Sequence, residues 1–273
     1  MAVGSVTRGT TNTNRLRRVD RWIATLAVLR RAADPLVVDL GYGASAVTAL
    51  ELHQRLARSR ADVEVLGIEI EPERVRTAQA QLREVRAGRT SFAPDARVGF
   101  ATGGFEVPLA GGRRAAVIRA LNVLRQYPEH AVLPSWQLLV TRLQPGGVLI
   151  DGTCDEIGRI ASWVDVTADG PQHLTVSMRL AGLEHPAIVA ERLPKILIHR
   201  NVDGEKVHEF MTDLDRHWQY NAALATYGPA QRWAATVRAL TDAGWPLRSN
   251  RARVKLGEVS VVWDAVKPRG FTW

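Results

Sequence analysis

Leu36-Val37-Val38-Asp39-Leu40-Gly41-Tyr42-Gly43-Ala44-Ser45 is a short apolar run that ends in a tight glycine turn, and an amphipathic segment from Ala46 to Arg58 follows it. Strand, glycine loop and helix, in that order, build a nucleotide-sized pocket at the C-terminal end of a strand. Gly41 permits the sharp turn, and Gly43 lets main chain approach a ligand with no Cβ in the way. Gly41, Gly43 and Ala46 also satisfy the dinucleotide fingerprint G-x-G-x-x-G/A. Asp39 argues against a dinucleotide, because a carboxylate two residues before the first glycine repels a pyrophosphate. The same carboxylate suits a ligand that carries an ammonium group and no phosphate.

The second half of the signal is Val63-Glu64-Val65-Leu66-Gly67-Ile68-Glu69-Ile70-Glu71-Pro72. It reads as a second buried strand ending at Glu69, with Pro72 in the first turn of the next helix. An acid at the end of that strand can accept both hydroxyls of a ribose. Together, Val38 to Gly43 and Gly67 to Pro72 resemble the glycine motif and the following acidic motif of class I S-adenosylmethionine-dependent methyltransferases. The resemblance covers residues 35–155 well and the rest loosely. Ser45 departs from it, standing where that loop often has a third glycine.

The resemblance implies S-adenosyl-L-methionine as cofactor, with Asp39, Gly41, Tyr42, Gly43, Glu69, Ile70, Gly104, Phe105 and Asn122 as binding residues. Asp39 would organise the glycine loop and the methionine ammonium. Glu69 would hold the ribose. Gly103, Gly104 and Phe105, in the turn after a third strand, would meet the adenine, with Glu106 or backbone groups replacing the acid the family often has there. Asn122 and Tyr127, past the fourth strand, are candidates to line the substrate side, although an Asn at a strand exit is equally an ordinary turn residue. The sequence identifies no general base; Asp151, His130 and Tyr127 stand as candidates.

The rest of the chain fits one α/β fold: a doubly wound, mostly parallel Rossmann-like sheet with an antiparallel C-terminal strand and a helical insert. The spacing predicts a flexible stretch over residues 1–13 and a helix over 14–31, together an N-terminal extension over 1–34. A methyltransferase domain follows over 35–273. Gln144 to Gly147 predicts a tight turn into strand five. A hairpin around Ala168 to Pro171 and several helices form an insert at about 158–245, expected to act as a cap or an oligomer contact, which leaves a homodimer open. Gly257 to Val266 is expected as the antiparallel strand beside strand five.

Of the 36 cationic residues only four are Lys, and the net charge is +8. This admits nucleic acid, and RNA methylation is an alternative, but charges spread over solvated helix faces account for it more simply. Arg15, Arg17, Arg18, Arg21, Arg30 and Arg31 form the clearest cluster, expected in water on the first helix. The acceptor is therefore expected to be a small molecule. A single Cys154, no apolar membrane-length run and a polar start point to a cytoplasmic protein. The seven histidines and Cys154 show no zinc-like spacing, so no metal is expected. A nicotinamide oxidoreductase and a non-catalytic S-adenosylmethionine-binding scaffold protein are the remaining rivals, the latter expected to have an occluded or partner-lined pocket.

Overall fold

The computed structural model describes residues 2–273. Two short helices, α1 (Arg17–Ile23) and α2 (Ala27–Arg31), precede β1 (Leu36–Leu40), α3 (Val47–Leu56), β2 (Glu64–Glu69), α4 (Pro72–Arg86), β3 (Val98–Thr102), β4 (Ala115–Leu121), α5 (Val132–Val140) and β5 (Leu143–Cys154). The C-terminal part adds β6 (Ile160–Thr167), β7 (Gly170–Met178), α6 (Lys195–Ile198), α7 (Lys206–Tyr220), α8 (Pro229–Asp242), α9 (Arg251–Lys255) and β8 (Glu258–Val262).

All eight strands form one sheet in the order β3-β2-β1-β4-β5-β6-β7-β8. The first five are parallel; the last three run antiparallel to their neighbours. This is a Rossmann-like α/β fold. β1 and β4 are buried along their whole length, which is why both read as nearly continuous apolar runs. The strand order reverses between β1 and β4, and a crevice opens there at the strands' C-terminal ends.

Apolar side chains fill both faces. Val37, Val65 and Val117 pack with Ile23, Leu52 and Leu82 from α1, α3 and α4 on one side. Val38, Ile118 and Leu149 pack with Trp136 of α5 on the other, and that core continues under α7 and α8 through Phe210, Trp218 and Trp233.

Four details differ from the sequence expectation. The expected first helix breaks at Ala24–Leu26, where the Thr25 hydroxyl donates to the Trp22 carbonyl (2.7 Å) and Leu26 turns extended. The Gln144–Gly147 turn lies inside β5 as an irregularity, where the pairing jumps from Leu143↔Ala115 to Val148↔Val117. β8 does not lie beside β5, because the turn after Cys154 folds the chain straight back. The Asp155 carboxylate accepts from the amides of Arg159 (2.7 Å) and Ile160 (3.3 Å), so β6 takes that edge and β8 pairs with β7. Finally, α7 and α8 cover one face of the antiparallel half of the sheet and do not roof the crevice.

Candidate functional site

β1 delivers Asp39 and the glycine loop to the crevice. Gly41 (φ 66°) and Gly43 (φ 89°) both sit in the left-handed region. A Cβ on Gly41 would come within 2.6 Å of Val123, and one on Gly43 within 2.8 Å of the Gly9 carbonyl. Glycine is required at both places. The Tyr42 ring is buried edge-on against Phe100, with centroids 5.1 Å apart. Ser45 faces away from the crevice, and its hydroxyl meets Gln81 (3.1 Å). Gln81 also accepts from the Ala46 amide (2.8 Å), and the Gly9 carbonyl accepts from Ala44 (2.9 Å). The N-terminus of α3 is thus satisfied from within the protein and offers little to a pyrophosphate.

Glu69, 1% exposed at the end of β2, accepts from the Gly43 amide (3.0 Å) and from the Ile70 amide (3.0 Å), with Arg74 3.6 Å away. Glu69, Ile70, Gly104 and Phe105 line a narrow crevice on one side of the glycine loop. Asp39, Tyr42, Gly43 and Asn122 line a cavity of about 520 Å³ on the other, and Gly41 borders both. Phe105 is buried against Tyr127 (centroids 5.2 Å). Asn122 (φ 63°) clamps β4 to β5: its carbonyl oxygen accepts from the Cys154 amide (2.9 Å) and its amide faces the Cys154 sulfur (3.3 Å). Burial pushes the Cys154 thiol up, so it stays protonated.

Asp39 was expected to face an ammonium group. Its oxygens are instead committed to Arg119 (2.9 and 2.6 Å) and to the Thr48 hydroxyl (3.2 Å). Arg119 is fully buried in β4, in register with Asp39 across the β1–β4 ladder, and its third guanidinium nitrogen donates to the buried Asp20. Asp20 continues to Arg55 (2.6 Å). Burial opposes the Arg119 charge, but Asp39 and Asp20 outweigh it and raise its pKa. Asp39 therefore organises the floor of the site through Arg119, and its negative charge is neutralised before it reaches a ligand. An arginine inside a fully buried strand demands a carboxylate partner, and Arg119 within the apolar run Ala115 to Leu121 is the sequence signal for one.

Several other expectations fail for physical reasons. Residues 3–11 are not loose: they lie as a strap over the crevice. Val3 donates to Glu106 (2.7 Å) and accepts from the Phe105 amide (2.8 Å), and Ser5 donates to the Tyr127 hydroxyl (2.6 Å). Three of the N-terminal arginines are tied to the turn after β5 rather than left in water. Arg15 donates to the carbonyls of Asp155 and Thr10, Arg17 to that of Ile157 and Arg18 to that of Gly158. Burial, aided by neighbouring Arg17, lowers Arg18 to about 10. His130 is exposed, Tyr127 is occupied by Ser5, and Asp151 sits in the core under the Trp136 indole (3.0 Å).

Burial pushes the Asp151 carboxyl up to about 7, against the partial opposition of that indole. An unfolded Asp loses its proton near pH 4. Over the window from about 4 to 7 the native state holds the extra proton, so stability falls as pH rises and levels off above it. Asp151→Asn keeps the acceptor for Trp136 and removes the titration. Relative to the wild type, the variant should gain on the order of 2 to 3 kcal/mol between pH 5 and pH 8 in urea denaturation.

The far wall of the cavity is cationic. Arg125, just past β4, and Arg192 face it together with Arg8 and Arg15. Arg192 pairs with Glu156 (3.5 Å). Arg125 Nη1 is buried with no hydrogen-bond partner among the described residues, and burial together with the nearby Arg192 lowers its pKa. Among the described residues no group of three or more His, Cys, Asp or Glu is placed to hold a metal ion, and no helix is long and apolar enough to cross a membrane.

No protein-family model matches this sequence, and no curated protein matches it. Solved structures similar to the chain include a mitomycin 7-O-methyltransferase, with TM-score 0.36 and 19% identity over 50% of this chain and 35% of that one. A second is an O-methyltransferase from neocarzinostatin biosynthesis in complex with S-adenosyl-L-homocysteine, with TM-score 0.34 and 20% identity over 48% of this chain and 38% of that one. A third is a pericyclic reaction enzyme, with TM-score 0.34 and 17% identity over 54% of this chain and 33% of that one. The matched part spans about a third of the length of each of these proteins.

Proposed function

We propose that the chain is an S-adenosylmethionine-dependent methyltransferase acting on a small anionic acceptor. The observation that carries the cofactor assignment is Glu69, at the end of β2, beside a glycine loop whose Gly43, Ala44 and Ala46 amides are already taken by Glu69, Gly9 and Gln81. A ribose is served there and a pyrophosphate is not. The remaining residues fit the cofactor. The Phe105 amide and the Glu106 carboxylate present a donor and an acceptor to one partner, the complement of an adenine's amino group and ring nitrogen. Gly41 and Gly43 line the cavity in which the methionyl part would lie.

When bound, the sulfonium supplies an already activated methyl group. The protein's task is then to align donor and acceptor and to exclude competing geometries. Asp39, fixed by Arg119, holds the loop that sets the donor's position. Asn122 fixes the β4–β5 exit beside the cavity. The acceptor's class rests on the cationic wall of the cavity, where Arg125 stands with Arg8, Arg15 and Arg192; a carboxylate or phosphate pairs bidentately with a guanidinium there. An acceptor that is already anionic also lessens the need for a strong general base.

The test is transfer of labelled methyl from S-adenosylmethionine into panels of small carboxylates, phosphates and neutral molecules. Label should enter acidic acceptors. Arg125→Ala should lower kcat/KM for them at least tenfold, mostly through KM, while the affinity for S-adenosylmethionine changes less than threefold. Label entering only neutral molecules, or an Arg125→Ala defect confined to cofactor affinity, rejects the anionic acceptor.

A further inference from the structure

The strap formed by residues 3–8 occupies the part of the crevice where the proposed cofactor's adenine belongs. About 20 Å³ remain free there, room for a single water at most. The Val3 carbonyl lies so close to Gly104 that a Cβ on that glycine would come within 2.0 Å of it. Val3 meets the crevice through its main chain. Its N–H donates to Glu106 Oε2 (2.7 Å), and its carbonyl accepts from the Phe105 amide (2.8 Å). An adenine edge offers the same pair, one N–H donor beside one acceptor. Glu106 is prepared for such a partner: burial works against its charge, but the amides of Val3 and Gly104 outweigh that and hold the carboxyl below its usual range.

We infer that this strap is an internal occupant of the nucleotide site and must leave before S-adenosylmethionine can bind, an inference that rests on the cofactor assignment above. The strap is built to leave. Val3 and Val6 are 45% and 55% exposed, so it buries little apolar surface. Hydrogen bonds from Ser5 to Tyr127 (2.6 Å), Arg8 to Gln126 (2.7 Å) and Arg74 to the Thr7 carbonyl (2.6 Å) hold it. Such exposed bonds are readily exchanged with water. Segments with few apolar contacts and exposed hydrogen bonds are the first to open. Downstream, Gly9 and Thr11 are joined to the glycine loop itself (2.9 Å to Ala44, 3.2 Å to Tyr42), so the strap has a fixed root at which to swing.

An occupied site reduces the apparent affinity by the fraction of molecules that are open. Deleting residues 2–8 leaves the Gly9 root in place and should tighten S-adenosylmethionine binding at least tenfold by calorimetry. Val3→Pro, which removes the N–H given to Glu106 in a chain of full length, should tighten it two- to fivefold. In the unaltered protein, hydrogen exchange in peptides covering residues 2–12 should speed up when S-adenosylmethionine is added. Equal affinities with unchanged exchange would overturn the strap and leave the cofactor assignment standing. Weaker binding by the shortened chain would make the strap a clamp on bound nucleotide, which also overturns it. Failure of every form to bind S-adenosylmethionine would overturn the cofactor assignment and the inference with it.

Discussion

Arg119→Leu should destabilise the protein by about 3 to 5 kcal/mol, the range for removing one partner of a buried ion pair. The reason is what stays behind. Asp39 (2% exposed) keeps only the Thr48 hydroxyl, and Asp20 (0% exposed) keeps only Arg55. The guanidinium also caps the Thr48 carbonyl (3.2 Å), so α3 loses an anchor. In a domain of this size the loss corresponds to a fall in Tm of roughly 10 °C. Removing the charges together, as Asp20→Asn, Asp39→Asn and Arg119→Leu, should recover much of it, because a neutral network leaves no isolated buried ion. A single-variant loss below about 1 kcal/mol in urea denaturation would mean that solvent reaches the network and that Asp39 is not neutralised from within.

Glu69→Ala should weaken S-adenosylmethionine binding by about two to four orders of magnitude. The carboxylate accepts from Gly43 and Ile70 and has further lone pairs for ribose hydroxyls. Hydrogen bonds to a charged group contribute about 1.5 to 3 kcal/mol each, and two of them correspond to that change in Kd. Glu69→Gln should fall between alanine and wild type, since it retains an acceptor but turns one oxygen into a donor facing an amide. Circular dichroism should show both variants folded, because the side chain lies at a strand end and not inside a core layer. A Glu69→Ala protein with wild-type affinity would move the nucleotide elsewhere.

Much of this was legible in residue order alone. The runs around Val38 and Ile68 each end at a polar turn, and strands buried on both faces must read that way. Gly41 and Gly43 announce positive φ, and Glu69 announces a polar partner at a strand end. What escaped the sequence depends on neighbours distant along the chain. Arg119 and Asp39 are 80 residues apart and meet only because β1 pairs with β4. β8 pairs with β7 and not with β5 because the Asp155 turn gives the β5 edge to β6, a short-range event whose consequence is long-range. The strap is a polar, glycine-containing stretch with no periodicity, and such composition ordinarily means a loose terminus. Its order comes from main-chain partners on Glu106, Tyr127 and Gln126, which no local pattern reveals. Arg125 is one arginine among many in the sequence, and only the fold brings it to the cavity wall with Arg192.

The most direct test is calorimetric titration of the full chain, and of the chain lacking residues 2–8, with S-adenosylmethionine, S-adenosylhomocysteine and NAD. The account predicts that both adenosyl ligands bind in a one-to-one ratio and exclude each other, and that NAD, whose pyrophosphate finds the Gly43, Ala44 and Ala46 amides already taken by Glu69, Gly9 and Gln81, does not compete. Competitive binding of NAD, or no binding of either adenosyl ligand to either chain, would contradict it.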